Sequence, residues 1–225
     1  MMRNLFFLSF ISIFLWIGFA SAQIESGSVI LSWHANTFYP ADFFGKPEAV
    51  NQSTITLRAE MISDGKIQDL SKARIAWYLD ESLYENGVGI KETTFTVTKR
   101  SGQRYLVRGV IAIDDEVHES SIIIPISKPK VVIEFPSLEN KIGPGETVTL
   151  ISVPYFFNAS SLSDLNFSWA INGKKETLEK ENSLTLNIGT PISENQRTVS
   201  IQSTVNNERN VFENIQSKIQ LFVTQ

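Results

Sequence analysis

Few side chains in this sequence could do imidazole or thiolate chemistry. His34 and His118 are the only imidazoles and there is no cysteine. Zinc sites, thiol nucleophiles and most histidine-based triads therefore lack their parts. His34 follows Trp33, and His118 lies in the run Asp114-Asp115-Glu116-Val117-His118-Glu119. Neither has a second ligand at metal-binding spacing, and no nucleophile elbow, phosphate-cradling loop or zinc helix occurs. No catalytic residue, metal ligand or cofactor is assigned, and the expectation is a protein that is not an enzyme. The acidic run has the oxygens that a calcium ion takes. Asp-Asp between two apolar alternations is also turn chemistry, and a solvated turn is expected, with Asn206-Asn207-Glu208 as its counterpart in the second half.

Aromatic side chains are the stronger candidates. Trp33, Phe38, Tyr39, Phe43 and Phe44 fall within one short stretch interrupted by Pro40 and Gly45, and Tyr155-Phe156-Phe157 forms a second cluster after Pro154. Exposed, these eight residues would be a stacking platform for sugar rings or an anchor for a protein partner, because aromatic rings give much contact area at low entropy cost. Buried, the two clusters would pack on each other near the middle of the chain.

Placing them requires the elements that carry them. The chain has 225 residues, 42% of them hydrophobic and 20% charged, which suits globular folding. Its formal net charge of −4 gives no basic face to displace phosphate counterions, so nucleic acid is not an expected partner. Residues 1–22 read as a signal peptide: Arg3, an uncharged apolar stretch from Leu5 to Phe19, and Ala20-Ser21-Ala22 before Gln23. That stretch is short for a bilayer span, so cleavage, export and a mature chain without a membrane span are expected. An exported chain without cysteine must be held by apolar cores, and its compartment is read as bacterial. The sequons at Asn51, Asn158 and Asn166 are read as chance.

From Ile55 onward, short apolar alternations are separated by Asn, Asp, Gly, Pro and Ser, the pattern of an all-β sandwich. The first half gives Ile55 to Met61, Ile75 to Leu79, Phe95 to Val97, Tyr105 to Ile113 and Ile122 to Ile126. The second gives Val148 to Leu150, Leu165 to Ile171, Leu184 to Ile188, Val199 to Val205 and Ile219 to Val223. Trp77 and Trp169 sit at matching places, each two residues from apolar neighbours on either side and each followed by polar turn residues. Pro125 suits an edge strand, and the C-terminal strand is either covered in its own sheet or open to a partner strand. Pro125 and Pro129 restrict the connection between the halves.

On these residues the chain resembles bacterial extracytoplasmic immunoglobulin-like and PKD-like modules. The tryptophan falls on the third strand, and Tyr105 stands where such folds place a tyrosine corner. The resemblance implies two tandem immunoglobulin-like β-sandwich domains, residues 23–128 and 129–225, behind the signal peptide. The function expected is non-enzymatic: a binding or scaffold component of a cell-envelope or surface-appendage assembly such as a pilus, with another envelope protein as partner. The alternative is a carbohydrate-binding module that contacts polysaccharide.

Overall fold

The computed structural model describes residues 27–137, 139–176, 181–189 and 198–224. The signal-peptide reading lies outside these residues. Among the described residues all but one of the regular elements are strands, the exception being a single 3-10 turn at Leu162–Asp164.

The first half is built from β1 (Ser28–Asn36), β2 (Ala49–Val50), β3 (Thr54–Ser63), β4 (Lys66–Ile67), β5 (Arg74–Leu79), β6 (Ser82–Val88), β7 (Glu92–Thr96), β8 (Arg104–Ile113) and β9 (Glu116–Ser127). One sheet has β3 between β1 and β7, with β4 on its end; the other has the order β2-β9-β8-β5-β6. The inward residues of each strand recur at every second position, as a strand buried on one side demands. Ile55, Leu57 and Phe95 from one sheet meet Trp77, Val107, Ile111 and Ile124 from the other in one core. Gly109 lies under Trp77 across the sheet, where an added Cβ would stand 2.9 Å from Leu31 Cδ2, so glycine lets Leu31 pack here without shifting.

The second half repeats this plan with β10 (Lys130–Glu134), β11 (Lys141–Ile142), β12 (Thr147–Tyr155), β13 (Leu165–Ile171), β14 (Lys174–Glu176), β15 (Ser183–Asn187), β16 (Thr198–Asn207) and β17 (Asn214–Val223). Its sheets are β10-β12-β15 and β11-β17-β16-β13-β14. The chain is thus all-β, two immunoglobulin-like sandwiches in succession. The correspondence extends to single hydrogen bonds. Trp77 Nε1 donates to Ile90 O at 2.9 Å, and Trp169 Nε1 to Glu181 O at 3.1 Å. Three residues after each tryptophan, Asp80 and Asn172 adopt φ of 49°. Each exchanges bonds with its neighbouring strand, Asp80 with Leu106 and Asn172 with Ser200. Asp and Asn fit because both accept bonds locally and tolerate the left-handed region.

The tyrosine corner forms: Thr98 N donates to Tyr105 Oη at 3.0 Å. Pro125 does not lie on a sheet edge: β9 runs between β2 and β8, and the β2 pairing begins at the next residue, Ala49 with Ile126. Ile126 N donates to Gln103 O, so the adjacent Pro125 nitrogen points away from β8, on the side where β2 has not yet begun to pair. β17 is covered in its own sheet at its end, where β11 runs parallel to Phe222-Val223.

Two further expectations change. Asp80 and Glu81 make the turn expected after Leu79, but it leads at once into the edge strand β6, Ser82–Val88, which was not expected; nearly every β6 residue is exposed, so no burial alternation marks it. Asn206-Asn207-Glu208 is not a counterpart of the Asp114-Asp115 turn. Asn207 is a buried strand residue, held by Asn158 O and Glu213, and the connection runs on to Glu213. Asp114 and Asp115 themselves turn tightly between β8 and β9 with φ of 50° and 64°.

Candidate functional site: the aromatic junction

In both halves the first strand crosses from one sheet to the other, leaving β1 for β2 and β10 for β11. The crossover is twelve residues long in the first half, 37–48, and six in the second, 135–140. The longer one contains most of the first aromatic cluster, and it reaches across to the second half.

Phe38 and Phe157 form a backbone bridge between the halves. Phe38 N donates to Phe157 O at 2.7 Å, and Phe156 N donates to Phe38 O at 2.6 Å. The Phe38 ring packs on a core of Val131, Phe157, Leu165, Phe167 and Val205 in the second half. Phe43 meets Tyr155 and Phe156 edge-to-face at centroid distances of 5.8 and 5.4 Å, and Tyr39 at 5.7 Å. Its ring also occupies the space a Cβ on Gly45 would need, so the glycine is part of the seat. Phe156 has φ of 62°, unusual for a bulky residue, and burial against Phe43 and the bond to Phe38 holds it there.

Polar contacts fix the same junction. Asn158 Nδ2 donates to Gln52 O at 3.0 Å, and Lys130 Nζ donates to Glu48 Oε1 at 2.8 Å. That ion pair helps hold the Glu48 carboxyl below its usual pKa against the opposing pull of burial. Glu213, only 2% exposed, accepts from Asn158 N through both oxygens at 3.0 Å and from Asn207 Nδ2 at 2.7 Å. Burial outweighs these bonds and raises the Glu213 pKa. A residue with no sequence signal as a site thus organises the loop that receives the crossover.

The structure brings together Phe38, Tyr39, Phe43, Tyr155, Phe156 and Phe157, with Phe156 and Phe157 buried. Trp33 is set apart on β1, its ring capped by Lys46 Nζ at 3.6 Å from the centroid. Phe44 alone of the eight is fully free, at 98% exposure. Sequence reasoning passed over Val211 and Phe212, which project from the loop joining β16 to β17 at 79% and 74% exposure. An adjacent apolar pair inside a polar turn is the signal that would have found them.

The histidines do not converge: His34 pairs with Thr56 in one sheet and His118 with Ile111 in the other, His34 pointing out and His118 partly buried. Among the described residues no group of three His, Asp or Glu could hold a metal ion. An open groove of about 650 Å³ between β6 and β7 is lined by Tyr84, Glu85, Glu92, Thr93 and Thr94. Its carboxylates are engaged, Glu85 by Thr93 and Glu92 by Arg58. No described helix is long and apolar enough to cross a membrane. The sequon amides are occupied as well: Asn51 bonds Thr98 O and Lys99 O, Asn158 bonds Gln52 O, and Asn166 bonds Glu208.

No family model matches the sequence, and no curated protein sequence does. Among solved structures the chain is similar to three N-terminal domains of the highly immunogenic outer capsid protein of bacteriophage RB49. The identity is 11% and the TM-score 0.48, over 88% of this chain and 59% of that one. It is similar to fibronectin(III)-like modules of Clostridium thermocellum CbhA, at 11% identity and a TM-score of 0.31 over 86% and 95%. A third likeness is to Bacteroides ovatus SGBP-B, solved with a mixed-linkage heptasaccharide, at 14% identity and 0.26 over 86% and 47%. The chain spans less than two thirds of the phage and Bacteroides chains. These likenesses are of fold: immunoglobulin-like and fibronectin-III-like β-sandwiches.

Proposed function

We propose that this is a non-enzymatic, exported binding or scaffold protein of a bacterial cell envelope or surface appendage, its two domains meeting between residues 128 and 129. The observation that carries the reading is the junction. Two loops, 37–48 and 208–213, are both tied to Phe157-Asn158, and they project Phe44, Val211 and Phe212 into solvent. Large free apolar side chains on loops held by a rigid scaffold are what a protein partner buries at a hot spot. Polysaccharide is the weaker occupant. Sugar stacking needs open ring faces, whereas Tyr39, Phe43, Tyr155 and Phe156 present edges to one another at interplanar angles between 60° and 73°.

Crosslinking tagged protein in its native envelope tests this, with Phe44→Ala/Phe212→Ala in parallel. The wild type should retain one membrane or appendage protein that the double variant loses while its unfolding midpoint stays unchanged. Retention of polysaccharide alone would replace this reading with carbohydrate binding.

A further inference from the structure

The two sandwiches provide an internal control that exposes a second surface, remote in character from the junction and independent of the function proposed above. Alternate residues of β5, β6, β8 and β9 point outward from the larger sheet of the first sandwich. Leu106 pairs with Ile123, Tyr78 with Leu83 and Ala112 with Val117 across that outer face. Leu83 is 53% exposed, Ile123 51% and Val117 70%.

The same face of the second sandwich is polar apart from Phe222 at its end, 47% exposed. The Asp80–Leu106 and Asn172–Ser200 bonds align Leu106 with Ser200, and strand register then aligns Val110 with Thr204, Ile123 with Gln220 and Val117 with Asn214. One fold, in one chain and one solvent, keeps its sheet with Ser, Thr, Gln and Asn at these positions. The apolar residues of the first sandwich are therefore not required by the sheet; they flank Arg108, Glu119 and Ser121 at its centre, and exposed apolar side chains grouped around a self-paired ion pair are a surface that something covers.

We propose that this face packs against the same face of a second copy of the chain. Size supports it. With strands about 4.8 Å apart and outward side chains about 6.8 Å apart, the four strands make a face roughly 20 Å wide that reaches about 27 Å along β8 and β9 and about half that along β5. Side-chain relief brings such a face toward the ~800 Å² per partner of a stable interface. Charge supports an identical partner as well. The central cation, Arg108, is answered within its own chain by Glu119 at 3.2 Å and Glu81 at 3.8 Å, and lies 4.1 Å from the Tyr78 ring centroid. The face thus asks for no complementary charge, a condition that a two-fold contact between like surfaces meets. Arg74 and Arg104 stand at its opposite ends, where solvent remains.

Sedimentation of the mature chain from about 1 µM to about 100 µM reads the outcome. Concentration-dependent dimer is expected. The variant Leu106→Ser/Val110→Thr/Ile123→Gln, which takes the second sandwich's own residues, should weaken the dimer by roughly a hundredfold or more. Should the triple variant fold poorly, Val117→Asn alone, at the most exposed position, should weaken it at least about tenfold. Gln216→Ala on the polar face should leave it unchanged. A wild type that stays monomeric throughout assigns the face to a different protein and overturns the proposal. A folded triple variant, or a folded Val117→Asn variant, that dimerises as the wild type does also overturns it.

Discussion

At the scale of single residues, two groups carry separable energies. Tyr105 is buried, and its hydroxyl accepts from Thr98 N and pairs with Thr98 Oγ1 at 3.0 Å. Tyr105→Phe keeps the ring and its packing on Phe95 and removes those bonds, at a cost of about 1 kcal/mol. Thermal unfolding of the first sandwich should fall by about 5 °C, and an unchanged midpoint would show that water replaces the bond at no cost. Glu213 behaves differently. Its folded pKa lies above its unfolded one, chiefly because burial penalises the charge. The folded state therefore binds the proton more readily, and its contribution to stability grows as pH falls through the raised pKa toward the unfolded value. Glu213→Gln removes that titration. Subtracting the variant's pH–stability curve from the wild type's should leave a difference that rises in favour of the wild type on acidification from pH 7. A flat difference would mean that Glu213 titrates as it does in the unfolded chain.

At the scale of elements, the crossover of residues 37–48 decides how the halves meet. Phe38 belongs to the first sandwich by sequence, yet its ring completes a core in the second. Phe38→Ala should therefore loosen elements far away in the chain. Hydrogen exchange in β13 and β16, around Phe167 and Val205, should quicken while β5 and β8 stay protected. Unchanged exchange in β13 would make the ring an ornament of the surface.

The same element shows where sequence reading stops. Its aromatic composition was legible, and so were both cores, because Ile75-Trp77 and Phe167-Trp169 repeat at a period of two with burial on one side only. Which rings face each other was not legible, since that depends on backbone bonds between residues far apart, Phe38 with Phe157. β6 escaped because it is exposed along its length, and β2, β4 and β11 because two residues have no period. Glu213 escaped because a carboxylate in a turn reads as solvated until the donors that surround it are known.

At the scale of the whole molecule, the contacts across the junction make the stability of one sandwich depend on the other. Only Lys128 and Pro129 separate β9 from β10, and the Lys130–Glu48 ion pair, the Asn158–Gln52 bond, the Phe38–Phe157 backbone pair and the Phe43 ring contacts all act in parallel across the gap. The exposed ion pair contributes little by itself. The burial of two partly covered phenylalanines and two backbone bonds contributes more, on the order of 3 kcal/mol after the cost of ordering the crossover. The second sandwich produced alone, residues 129–225, keeps its own cores and should fold. It should unfold at lower denaturant than the same sandwich in the full chain, by an amount equal to that coupling, and Phe38→Ala/Phe43→Ala in the full chain should close most of the gap. Equal midpoints for the fragment and the full chain would show two independent sandwiches joined by a tether. The junction would then fix no geometry between them, and Phe44 and Phe212 would have no common scaffold from which to hold a partner.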